Sequence, residues 1–223
     1  MAEGSGPEAW RVRVHLPAYT AVEAARYAQT RARVISSWYR GQSKQGPALG
    51  AKERHAALSY VQLIEVAFVA SARRHGISMH SIRRAREYLS DWFQHPYPFA
   101  LTRIQTDGYH LLVEDPRHLE NGHLVVADRK GQIAWKNALA ERLVQLEFER
   151  ELAVRWWLRG RDVPITIDPR IAFGAPCISG IPTWAIKDRH SAGETVLEIR
   201  QDFSLTEEEV RLALAFEHDK PAT

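Results

Sequence analysis

The chain has 223 residues, 45% of them hydrophobic and 26% charged, with a formal net charge of +3 and a single cysteine, Cys177. This is the composition of a globular protein rather than of a disordered chain. It excludes an internal disulfide and a cysteine-based metal site, and no apolar run reaches the ~18 residues of a membrane-spanning helix.

The opening MAEGSGPEAW lacks the basic start and apolar stretch of a signal peptide, so a reducing, cytoplasmic location is expected. The charge is split: residues 1–90 carry 14 Lys and Arg against 6 Asp and Glu, and residues 91–223 carry 16 against 21. A basic front points to a polyanionic partner, and an acidic back to a partner of the opposite sign.

Thr20 and Glu23 have the spacing of a capping box, which predicts a helix start. Val22, Ala24, Ala25 and Ala28 give that helix a small apolar face, so a second helix can cross it closely. Gln29-Thr30 is a polar break. A second helix is predicted from about Arg31 to Arg40, with Ile35 and Trp38 three apart on one stripe and Gly41 as its stop. Its remaining positions include Arg31, Arg33, Ser36, Ser37 and Arg40, side chains able to reach a phosphate or a base edge. This is the pattern of a helix-turn-helix. A helical hairpin in a bundle would also bury Trp38, so the outward arginines are what favour DNA.

The segment that follows is a Gly/Lys/Arg loop bearing Lys44, Lys52 and Arg54, suited to a basic wing. Ser59 is placed to cap a helix with Val61, Ile64, Phe68 and Ala72 inward. Gly76 ends that helix, and Ser78 starts another with the stripe Met79, Ile82, Ala85 and Leu89. Together, Tyr19-Thr20, Glu23 to Arg26, Trp38, Gly41, Leu58-Ser59-Tyr60, Leu63-Ile64, Arg73 to Ser78 and Ile82-Arg83 resemble the MerR-like winged helix-turn-helix. The resemblance covers about residues 18–92. It lacks the metal-binding cysteines of the metal-sensing members, which argues against metal sensing.

Pro96 and Pro98 break the helical pattern. Phe99 to Glu114 reads as a β-hairpin turning at Asp107-Gly108. Leu124 to Ala127 suits a further strand. Ile133 to Leu146 reads as a helix with Ile133, Leu139, Leu143 and Leu146 inward, and Glu147–Leu152 and Val154–Leu158 as paired strands. Trp156-Trp157 reads as core or subunit interface. No two of the ten histidines have metal-ligand spacing with a supporting carboxylate; Tyr109-His110, His118 and His123 read as a chance cluster. Asp188-Arg189-His190 is the best enzymatic candidate, but no nucleophile with a base and an orienting group is apparent. The chain is therefore read as a non-enzyme without a cofactor.

In the last third, Ile165 and Ile167 make a short strand ending at Asp168-Pro169. Thr183 is placed to cap a helix with Trp184, Ile186 and Lys187. Thr195 opens a second with Val196, Ile199 and Phe203. Thr206 to Glu209 is a capping box for a third, with Val210, Ala213, Leu214 and Phe216 buried. Three capped helices after a strand make a trihelical, homeodomain-like unit. Its third helix carries Glu207, Glu208 and Glu209, which repel phosphate, so DNA reading is assigned to the front. Glu207, Glu208 and Trp184 are the candidates for contact with a protein partner, since an acidic surface suits a basic one.

Ile165, Asp168-Pro169, Phe173-Gly174, Pro176, Ile178, Gly180, Pro182-Thr183, Gly193-Glu194, Thr206, Glu208, Val210, Ala213 and Phe216-Glu217 resemble a family of predicted antitoxins of bacterial type II toxin–antitoxin pairs. Its long form is similar along nearly the whole chain, with a MerR-like head and the Pro98–Ala100 and Thr106–Gly108 motifs. The resemblance implies a VapB-like antitoxin, partnered by a PIN-like ribonuclease toxin of the VapC kind. The expected fold class is α+β, mainly helical. Residues 1–95 are expected to form the winged head, 96–162 a small antiparallel β platform serving dimerisation, and 163–223 the homeodomain-like unit. The expected function is a homodimeric repressor that binds operator DNA and neutralises its toxin. The alternative is a MerR-like regulator answering to a small-molecule effector bound at the middle sheet.

Overall fold

The computed structural model describes residues 9–40, 46–50, 56–109, 112 and 129–219. The expected strand at 124–127, His110, His118, His123, Lys44, Lys52 and Arg54 lie outside them. The architecture is mainly helical with one small antiparallel sheet, an α+β fold.

Four helices form the front: α1 (Ala9–Arg13), α2 (Ala21–Tyr27), α3 (Ala32–Arg40) and α4 (Tyr60–Arg74). Thr20 and Glu23 make the expected reciprocal cap on α2. Ala24, Ala25 and Ala28 are buried as expected, but Val22 is 56% exposed. Tyr27 takes the place expected of it, because the apolar side of a two-turn helix is set by what packs on it rather than by periodicity alone. Leu58 and Tyr19 form a one-residue antiparallel bridge, and Ala48 donates its backbone N–H to Trp38 O at 2.7 Å, holding residues 48–49 against the end of α3.

α4 is buried on nearly all sides, which marks it as the central helix. Its one buried carboxylate, Glu65, accepts from Arg86 Nε and the Phe99 backbone N–H, both at 2.7 Å. Burial pushes the Glu65 carboxyl upward, against the pull of Arg86. That residue comes from α5 (Met79–Phe93), which starts at the expected Ser78 cap.

The described residues of the predicted hairpin at 99–114 do not form one. Pro98–Ala100 and Thr102–Ile104 are 3-10 turns, and Asp107–Tyr109 is a single helical turn, α6. The reason is tertiary: Phe99 stacks on Phe68 of α4 with centroids 4.1 Å apart, and Ile104 turns inward. Leu101 makes only a one-residue bridge to Leu152 of β2, so no ladder extends along the segment, and the Asp-Gly pair is used inside a helical turn.

α7 (Arg129–Leu143) lies on α4. It buries Trp135, Ala138 and Leu139, whereas the expected Ile133 is 52% exposed and Leu146 lies beyond the helix in a strand. A larger indole two positions on displaces the predicted stripe. The sheet is a five-stranded antiparallel meander: β1 (Leu146–Glu149), β2 (Leu152–Trp157), β3 (Ile165–Ile167), β4 (Pro176–Ile178) and β5 (Ile181–Pro182). Ile165 faces Ile178, and Trp156 faces Ile167. The middle of the chain thus supplies β1 and β2, and the last third supplies the other three strands. Trp156 is fully buried in the core, while Trp157 is half-buried and donates to Glu147.

Three helices close the chain: α8 (Thr183–Ser191), α9 (Val196–Phe203) and α10 (Glu207–His218). Thr206 makes its predicted capping box with Glu209, and Thr195, expected only as a helix start, makes one with Glu198. Thr183 does not cap α8. It lies inside the helix, fully buried, and its hydroxyl contacts Glu217 Oε1 at 2.5 Å and Pro176 O at 3.3 Å, while Pro182 precedes it. Among the described residues, no helix is long and apolar enough to cross a membrane.

Candidate nucleic-acid and partner interfaces

α3 is positioned from two sides. Gln29, with φ of 54°, turns the chain sharply between α2 and α3. The small residues of α2 then let α3 approach and bury Ile35 and Trp38. At 100° per residue, Arg33, Ser36, Ser37 and Arg40 fall on the side away from those two. Arg33 and Arg40 are exposed, and so is Arg31, which stands just before the first residue of α3. Arg31 and Arg33 have no side-chain partner among the described residues, whereas Arg40 Nε donates back to Ser36 O at 3.3 Å. The Ser37 hydroxyl donates to Val34 O at 2.7 Å and is engaged by its own helix. Five of the eight residues expected to reach DNA are therefore described, and four of them share one side of α3.

The acidic partner candidates are dispersed. Glu207 pairs with Arg211 one turn on, at 2.6 Å, and Glu208 is exposed. Glu209 belongs to the α10 cap and also bonds Ser179. Trp184 lies elsewhere, 53% exposed at the start of α8. The enzymatic candidate dissolves: Arg189 Nε donates to Glu194 at 2.8 Å and Nη2 to Asp202 at 2.6 Å, and the His190 ring contacts Glu194 O at 3.0 Å. Among the described residues no cluster of His, Cys, Asp and Glu could hold a metal. Burial pushes the Cys177 thiol up to about 11, leaving it protonated at neutral pH.

A seam that the sequence did not announce joins the front to the back. Arg26 of α2 bonds Glu217 Oε2 at 3.3 Å and donates to Phe216 O, and its guanidinium lies 4.3 Å from the Phe216 ring centroid. Tyr27 stacks on Phe216, the Tyr19 hydroxyl donates to Gly174 O at 3.0 Å, and Arg13 donates to Pro169 O at 3.1 Å. The only advance signal was the pair Arg26 and Glu217, and nothing in one dimension pairs residues 191 apart.

A second opening lies on another side. A cleft of about 750 Å³ runs between α1, the end of α5 and the β1–β2 turn, lined by Trp10, His15, Phe93, His95, Arg103 and Arg150 among others. Burial pulls both histidines below their ordinary range, and the charge of His95 lowers His15 further.

Known proteins share this framework. Residues 165–216 match the family described as "Protein of unknown function (DUF433)". The chain is 26% identical to the "Putative antitoxin VapB45" of Mycobacterium tuberculosis (strain ATCC 25618 / H37Rv), over 94% of its own length and 98% of that protein's. The crystal structure of Rv2018 from Mycobacterium tuberculosis superposes with a TM-score of 0.74 at 25% identity, covering 89% of this chain and 98% of that one. By these matches the chain is similar along nearly its whole length to a protein named as a putative VapB antitoxin, and its residues 165–216 match the DUF433 family.

Proposed function

We propose that the chain is a DNA-binding antitoxin that acts as a homodimer. Its front, read as a MerR-like winged helix-turn-helix, binds operator DNA through α3, and its homeodomain-like back binds and blocks a PIN-like ribonuclease toxin. The observation that carries the DNA half is the two-sidedness of α3: Ile35 and Trp38 hold the helix down while Arg33, Ser36 and Arg40 face outward. The backbone bonds of Ala48 and Leu49 to Trp38 O suit a wing that starts beside α3. The name of the 26%-identical relative supports the antitoxin half. The excess of acid beyond residue 91 suits a basic toxin and makes DNA contact by α10 unfavourable.

The test is operator binding by gel shift, using the promoter fragment upstream of the gene. Arg33→Ala is expected to weaken binding by about 1–3 kcal/mol if the side chain reads a base. Replacing Arg31, Arg33 and Arg40 together is expected to reduce the salt slope by roughly 2–3 as phosphate contacts are lost. Unchanged affinity in that triple variant would remove α3 from the interface. The antitoxin half is tested by co-expression with the neighbouring gene product, which should be toxic alone and harmless with this chain.

The 750 Å³ cleft favours a second reading, an effector-responsive regulator, because His15, His95, Arg103 and Arg150 line an opening beside the sheet. Release of operator DNA by a metabolite, without any toxin partner, would select it.

A further inference from the structure

The groove between α2 and α8 combines features that a self-sufficient surface would not keep. It encloses about 430 Å³ between Ala18, Glu23, Arg26, Phe173, Trp184 and Glu217. Two large aromatics stand out of it into solvent, Phe173 at 80% exposure and Trp184 at 53%. Phe173 is held there by the backbone. Ala172, Phe173 and Gly174 are consecutive left-handed residues, with φ of 44°, 54° and 83°, and the first two carry side chains for which that region is unfavourable. Arg13 supports the exposed ring from one side, its guanidinium 5.2 Å from the centroid.

The charges set the occupant. Arg26 is neutralised by Glu217, while Arg13 donates to the neutral Pro169 carbonyl and spends its charge on the Phe173 ring that it supports. Glu23, whose carboxylate also caps α2, lines the groove, and Asp188 lies one turn after Trp184 on the exposed side of α8. Two exposed aromatics with the Asp188 carboxylate one turn from Trp184 fit a chain segment that presents an apolar side chain flanked by lysine or arginine.

We propose that this groove is the docking site for a basic, apolar-tipped segment of the protein partner. The proposal rests on the antitoxin reading and names the surface through which it works: Phe173 and Trp184 anchor the segment, and Asp188 meets its positive charge. Exposed aromatics in a pocket wall are the residue types that dominate binding energy at interfaces.

The experiment measures binding of the full-length chain to the purified product of the neighbouring gene by calorimetry. Phe173→Ala with Trp184→Ala is expected to weaken binding by about 30-fold or more, with Phe173→Leu and Trp184→Phe retaining most of the affinity. Asp188→Asn is expected to slow association and flatten its salt dependence. Both aromatics are exposed, so thermal melting of the variants should stay close to that of the parent. If the parent chain binds and the double alanine variant binds equally well, the groove is wrong and the antitoxin reading stands. If the parent chain does not bind, the antitoxin reading fails and takes the groove with it.

Discussion

Tyr19 and Gly174 meet across the seam between the front and back of the molecule. Gly174 has φ of 83° and receives the Tyr19 hydroxyl on its carbonyl. A Cβ at Gly174 would collide with that same hydroxyl oxygen. Gly174→Ala therefore combines a left-handed alanine with overpacking at a buried ring, and should cost about 2–4 kcal/mol of stability in urea unfolding. In a Tyr19→Phe background the colliding atom is gone, so the Gly174→Ala penalty should shrink. Equal penalties in the two backgrounds would mean that the strain is purely in the backbone. The residues of this seam were individually visible in the sequence. Their pairing was not, because hydrogen bonds over 155 residues leave no local signature.

At the scale of elements, helix starts were the most legible feature. Thr20, Ser59, Thr195 and Thr206 all cap where their spacing predicts, since a capping box is decided within four residues. Thr206→Ala should cost about 1 kcal/mol and lower the melting temperature by roughly 2–4 °C; a shift within error would assign α10 stability to packing alone. Glu207→Gln with Glu208→Gln should leave operator affinity unchanged or raise it, and a loss in gel shift would place α10 on the DNA. Elements whose buried face is set by a neighbour distant in the chain were the illegible ones. Phe99 to Tyr109 has hairpin chemistry but folds as turns against Phe68, and α7 turns Trp135 inward instead of Ile133. Which face of a segment is buried is decided by the neighbour that covers it.

Across the whole molecule, Glu141 on α7 ties that helix to the central α4. Ser71 donates to it at 2.9 Å, Arg74 at 2.5 Å and Arg142 at 2.8 Å, and the His75 ring lies 2.9 Å away. Burial alone would raise its carboxyl, but Arg142, Arg74 and Ser71 hold it at about 2, below the ordinary 4.5. A carboxylate depressed in the folded state contributes stability that is present above about pH 4.5 and is lost as the pH falls toward 2. Urea midpoints between pH 7 and pH 2 should fall for the parent chain and fall less steeply in that window for Glu141→Gln, which should be weaker at neutral pH. Identical acid profiles would remove Glu141 from the linkage.

The sequence by itself determined the class of fold, most helix boundaries, the buried pair Ile35 and Trp38 with arginines opposite, and the motif-bearing segment at 165–216 that matches the DUF433 family. These follow from short spacings, where capping, periodicity and charge act over one or two helical turns. Only the tertiary structure decided that residues 98–109 are turns, that the sheet draws strands from both the middle and the last third, and that α2 is clamped to α10. It alone set Phe173 and Trp184 on one groove, because the left-handed turn at 172–174 and the seam beside it depend on packing between residues far apart in the chain.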